Sequence, residues 1–135
     1  MSSELTPYKL MIKEHHVDSL GHMNNATYLA LYEEARWEQI TARGYGFKEV
    51  QQLQQGPVIM EIKIQFLREI RLRENISITT KMVSQQGKIS TLLQQMIKED
   101  GTVASEATFV FGLFDMKTRR LIEPTPQWKQ ALGMD

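Results

Sequence analysis

The 135-residue sequence has no cysteine, which excludes disulfides, thiolate metal ligands and a cysteine nucleophile and fits a reducing, cytoplasmic setting. It has no excess of either charge. Sixteen Lys and Arg balance sixteen Asp and Glu, so no global field steers the chain to nucleic acid or a membrane surface. No apolar run approaches the ~20 residues that span a bilayer, and Met1–Pro7 lacks the basic start and apolar stretch of a secretory leader. No repeat, low-complexity tract or linker appears. Residues 1–135 are therefore expected to form one soluble, cytoplasmic domain.

What is present is periodicity. Tyr8, Leu10 and Ile12 alternate with Lys9, Met11 and Lys13, which predicts a short strand. From Ala26 to Tyr32 only Thr27 is not apolar, so a helix starts there with no wet face and is expected to be buried all round. Polarity returns at Glu33, Glu34, Arg36 and Glu38, and Gly44 and Gly46 stop the helix. Phe47–Leu53 reads as a short helix closed by Gly56-Pro57. Beyond Pro57 the period is two. Val58, Met60, Ile62, Ile64 and Phe66 define one strand; Ile76, Ile78, Thr80 and Met82 a second; Ile89, Thr91, Leu93 and Ile97 a third; and 102–115 a fourth. Gln86-Gly87 and Asp100-Gly101 read as hairpin turns, Thr118-Arg119-Arg120 as a further turn, and 126–132 as a terminal helix. The economical packing is α+β: an antiparallel meander curved around one buried helix. Its edge strand favours pairing with a second copy.

The segment with the most chemistry is His16-Val17-Asp18-Ser19-Leu20-Gly21-His22-Met23-Asn24-Asn25, which leads into Ala26-Thr27-Tyr28-Leu29 and then Glu33-Glu34-Ala35-Arg36-Trp37. It places a carboxylate in a Gly-containing loop ahead of a helix whose first N–H groups lack intrahelical partners. Such donors suit an oxyanion, so the pair fits attack on a carbonyl, with Asp18 the first choice for the chemistry.

This order of elements, with this loop, resembles the hot-dog fold acyl-CoA thioesterases of the 4-hydroxybenzoyl-CoA thioesterase type. Within that family it is most similar to the bacterial long-chain acyl-CoA branch, which has a similar Glu-Glu-Ala-Arg-Trp stretch. The resemblance implies a long central helix wrapped by a curved antiparallel sheet of five to six strands. It also implies homodimers or homotetramers with active sites between subunits, and hydrolysis of a medium- or long-chain fatty acyl-CoA without a cofactor. The family's catalytic aspartate falls on Asp18, and its carbonyl-holding N–H groups fall around Asn24 and Asn25. Two positions depart from the family: His16 stands where many relatives carry a second aspartate, and Asn25 where some carry His or Tyr. A hot-dog hydratase or dehydratase using His22 and Asp18, and a noncatalytic acyl-binding protein, are the rival classes.

Each residue also has a structural reading. Asp18 suits a turn or a cap. As a catalyst it either attacks the thioester carbon or draws a proton from water, and a thiolate leaves without a strong acid. Gly21 supplies a backbone conformation that a Cβ forbids. His22 either positions the carbonyl or is a loop histidine bonded to backbone. Asn24 or Asn25 is the helix N-cap, with the N–H groups behind them functional. Tyr28 and Tyr32, one turn apart, read as core; Tyr28 is also a candidate for lining the substrate pocket. Arg68, Arg71 and Arg73 are either solvated turn charges or a landing site for coenzyme A phosphates. Glu34 needs a partner, in Arg36, Arg43 or the pocket. His15, His16 and His22 do not make a zinc site, since adjacent histidines point apart in extended chain and no ligand spacing is present; no metal is expected. Eight methionines suit a pliable interior that tolerates an acyl chain.

Overall fold

The computed structural model describes residues 4–134; Met1–Ser3 and Asp135, on which part of the domain expectation and of the reading of Met1–Pro7 falls, lie outside the described residues. The period-two segments become β1 (Tyr8–Met11), β2 (Gln55–Phe66), β3 (Asn75–Gln86), β4 (Ile89–Lys98), β5 (Val103–Asp115) and β6 (Arg120–Ile122). The helices are α1 (Asn25–Ala42), α2 (Phe47–Leu53) and α3 (Pro126–Ala131). All six strands join one antiparallel sheet in the order β1-β3-β4-β5-β2, with β6 also on β5. The sheet curls around α1, as expected. Tyr28, Leu31, Tyr32, Ala35 and Ile40 of the helix share a core with Ile76, Ile78, Leu92, Met96, Phe109 and Phe111 of the strands. Among the described residues no helix is long and apolar enough to cross a membrane.

Four features differ from the periodicity reading. The meander holds for β3, β4 and β5, but β2 does not neighbour β3; it pairs with β5 at the far edge, and the connection from 67 to 74 carries the chain back across. Gly56 and Pro57 lie inside β2 rather than closing α2, whose cap is Gln54 at φ 56°. Proline is tolerated there because β2 is an edge strand. A bulge between Ile59 and Glu61 then reverses the strand's faces. Ile59, Ile62, Ile64 and Phe66 oppose the inward Phe111, Phe109, Ala107 and Ser105, while Val58 falls on the other side. On β4 the buried face is Ser90, Leu92, Gln94 and Met96, not Ile89, Thr91, Leu93 and Ile97.

The helix is also not buried all round in the single chain. Ala26, Leu29 and Ala30 are exposed along one face of its first turns. The sheet wraps only one side of α1, so an apolar helix is left with an uncovered stripe. Ile59, Met60, Ile62 and Phe66 of β2 are exposed as well.

Candidate active site

The loop before α1 is a tight reversal held by main-chain bonds. The Asp18 N–H donates to the His22 carbonyl at 2.9 Å, the Gly21 N–H donates to the Asp18 carbonyl at 3.0 Å, and Val17 bridges Met23. Gly21 sits at φ +82°, where a side chain is strained although a Cβ would meet nothing within 4 Å. Its role is conformational. The loop then docks on the connection between β2 and β3. Met23 N–H reaches the Ile70 carbonyl at 2.8 Å, Leu72 N–H reaches that of Gly21 at 3.2 Å, and the Met23 and Ile70 side chains are buried beneath. The Arg68–Arg73 segment is thereby brought against the Asp18 loop, a proximity that no local pattern announces.

Asp18 is exposed. Its Oδ1 accepts from the Leu20 N–H at 2.9 Å and the His22 N–H at 3.4 Å, so the carboxylate also shapes the turn, as its structural reading had it. The Asn24 side chain caps α1, accepting from the Ala26 N–H at 2.9 Å. Of the two expected carbonyl-holding donors, that of Asn24 is spent on the His16 carbonyl at 3.2 Å. Asn25 opens the helix, and its N–H has no acceptor among the described residues. That N–H, at the positive end of an 18-residue helix, is thus left for a ligand oxygen.

The neighbouring side chains form an exposed polar network. His22 Nε2 lies 3.1 Å from Glu69 Oε2, and the other oxygen of Glu69 accepts from Arg71 at 2.9 and 2.5 Å. Arg71 holds the Glu69 carboxyl below the usual range. Arg73 is paired with Glu14 at 2.7 Å, and Arg68 donates to its neighbour's carbonyl at 2.7 Å. Two of the three arginines are therefore already neutralised, and Arg68 alone has no carboxylate partner among the described residues. Glu69 was not singled out in the sequence; the signal was its place between Arg68 and Arg71.

Other candidates land differently. Tyr28 is buried, its ring edge-on to Phe66 with centroids 4.9 Å apart, and burial pushes its hydroxyl up. Glu34 is exposed and pairs with neither Arg36 nor Arg43; the Tyr8 hydroxyl donates to it. The histidine argument also needs correction. A 3-10 turn over Glu14–His16 replaces extended chain and brings the His15 and His16 rings to 3.9 Å. His16 Nδ1 accepts from the Lys13 N–H at 2.9 Å, and burial lowers its pKa. Among the described residues no three His, Cys, Asp or Glu converge.

A separate apolar cavity lies along the second half of α1, walled in part by Trp37, Ile40, Phe111 and Trp128. No residue of the Asp18 loop lines it. Arg36 does, although the sequence reading gave it no role of its own. Its Nη1 donates to the buried Gln94 side chain at 2.9 Å, and its guanidinium stacks on Phe109 at 4.3 Å.

Residues 12–132 match the family described as the thioesterase-like superfamily. The chain belongs to that superfamily. Long-chain acyl-CoA thioesterase FadM of Escherichia coli K12 is 29% identical over 125 residues, 92% of this chain and 94% of that one. The crystal structure of YbaW, a probable thioesterase from Escherichia coli, superposes with a TM-score of 0.82 at 26% identity, covering 94% of this chain and 96% of that one. A Staphylococcus aureus protein solved in complex with CoA gives 0.89 at 20% identity, covering 100% and 89%, which speaks for the fold alone. As a member of the thioesterase-like superfamily with this hot-dog architecture, the protein is a thioester hydrolase.

Proposed function

We propose that the protein hydrolyses medium- or long-chain fatty acyl-CoA, with Asp18 as the reacting carboxylate and the Asn25 N–H polarising the thioester carbonyl. The observation that carries the reading is local. The turn holding Asp18 is clamped by main-chain bonds directly upstream of a capped helix whose opening residue, Asn25, has an N–H with no acceptor among the described residues. Negative charge that develops on the carbonyl oxygen is favoured by that N–H and by the helix dipole behind it. Asp18 either attacks the carbonyl carbon, expelling coenzyme A as thiolate and leaving a mixed anhydride for water to cleave, or draws a proton from water as it attacks. Either way the thiolate leaves without a strong general acid.

The substrate class draws support from the FadM relative, whose name specifies long-chain acyl-CoA. Arg68 is the arginine on the docked connection that remains available for a coenzyme A phosphate. A second copy would cover the exposed stripe of α1 and the free edge of β2, making a homodimer. A monomer at micromolar concentration by light scattering contradicts that arrangement.

The deciding experiment is thiol release from acyl-CoAs of graded length by the wild type and by Asp18→Asn. The expected result is turnover that rises toward medium and long chains and falls at least about a hundredfold in the variant. Turnover by Asp18→Asn close to wild type rejects the assignment.

A further inference from the structure

The second half of α1 carries a cation in an apolar wall. Arg36 lines the cavity shared with Trp37, Ile40, Phe111 and Trp128, a cavity of about 580 Å³ including the part open to solvent. Its direct partners are neutral groups, and the Glu33 carboxylate acts on it only without contact. Gln94 accepts one hydrogen bond and is itself held by the Tyr32 carbonyl at 3.1 Å and the Thr80 hydroxyl at 3.0 Å, while the Phe109 ring takes the flat face. Among the described residues no carboxylate lies within 4.0 Å of it. Glu33, exposed and one turn back, lines the same cavity without forming an ion pair with Arg36. Burial pulls the Arg36 pKa down only to about 10, so the group is charged at neutral pH.

A partly buried cation without an anion is costly, and an arginine's remaining donors match a carboxylate's two oxygens. We infer that this cavity binds a free apolar monocarboxylic acid, its carboxylate on Arg36 and its hydrocarbon body against the tryptophans. An acyl tail arriving methyl-first would bring a methyl group to the cation, which is the wrong complement. The site is distinct from the Asp18 loop: Arg36 lies eleven helical steps beyond Asn25, roughly 16 Å of rise. The inference goes beyond the proposed hydrolysis and does not depend on it.

The two tryptophans of the chain, Trp37 and Trp128, both line the cavity and report its occupancy. Titration with octanoate is expected to give a saturable change in tryptophan emission, with a Kd at least tenfold below that for octanol, which has the same body without the charge. Arg36→Met should erase that preference while octanol still binds. Glu33→Gln, by removing the one opposing charge on the wall, should tighten octanoate a few-fold and leave octanol unchanged. If the wild-type protein binds octanoate no better than octanol, or shows no saturable change with either, the proposal is overturned. That wild-type comparison stands even if Arg36→Met fails to fold. Because no thioester is present, the outcome is independent of whether Asp18 is the reacting group.

Discussion

At the opening end of α1 the polar side chains are exposed and their partners are largely main-chain groups: Asp18 takes two N–H groups of its own turn and Asn24 caps the helix. Further along the same helix the arrangement is reversed. Arg36 is partly buried, its partners are side chains, and those partners are buried in turn. The first arrangement leaves a carboxylate wet and reachable, with one unpaired donor close behind it in sequence. The second holds a charge rigidly against an apolar wall. One helix thus presents an end suited to acting on a substrate and a flank suited to holding a free carboxylate.

The comparison breaks most visibly if the buried network is not what holds the second region. Gln94→Leu keeps the volume but strips Arg36, the Tyr32 carbonyl and Thr80 of their shared partner. The expected cost is about 3 kcal/mol, a Tm lower by on the order of 10 °C in a thermal melt. Asn24→Ala removes a cap on the exposed end and should cost about 1 kcal/mol in denaturant unfolding. A larger loss from Asn24 than from Gln94 would invert the proposed contrast. Arg68→Ala should raise KM for acyl-CoA a few-fold with kcat level, whereas Arg73→Ala, whose charge is already met by Glu14, should move KM less. Equal effects from the two would remove the reason for preferring Arg68. The smallest effect belongs to Glu69→Gln: its pairs with His22 and Arg71 are exposed, so the midpoint in the same unfolding assay should stay within error of the wild type.

Much of this was legible in the sequence where the signal is local. The strands from 75 to 115 follow their alternation and their turns at Gly87 and Gly101, α1 begins at the Asn24 cap, and Gly21 occupies the positive φ its loop requires. What was not legible is non-local. Nothing between Val58 and Phe66 shows that β2 crosses to the far side of β5, and a bulge of one residue changes which of its apolar residues face inward without altering composition. On β4 both faces mix polar and apolar residues, so alternation alone could not choose the face carrying Gln94. Arg36 had a readable signal: it follows the buried Tyr32 by four residues and precedes the buried Gln39 by three. The pairing of Glu69 with His22 needed the fold, because the loop and the connection are remote in sequence.

The division of α1 into a reacting end and a retaining flank is tested most directly in a single variant. Asp18→Asn is assayed for thiol release from its best acyl-CoA and titrated with octanoate by tryptophan emission. The account predicts turnover down at least about a hundredfold with the octanoate response intact; near-normal turnover, or loss of both together, contradicts it.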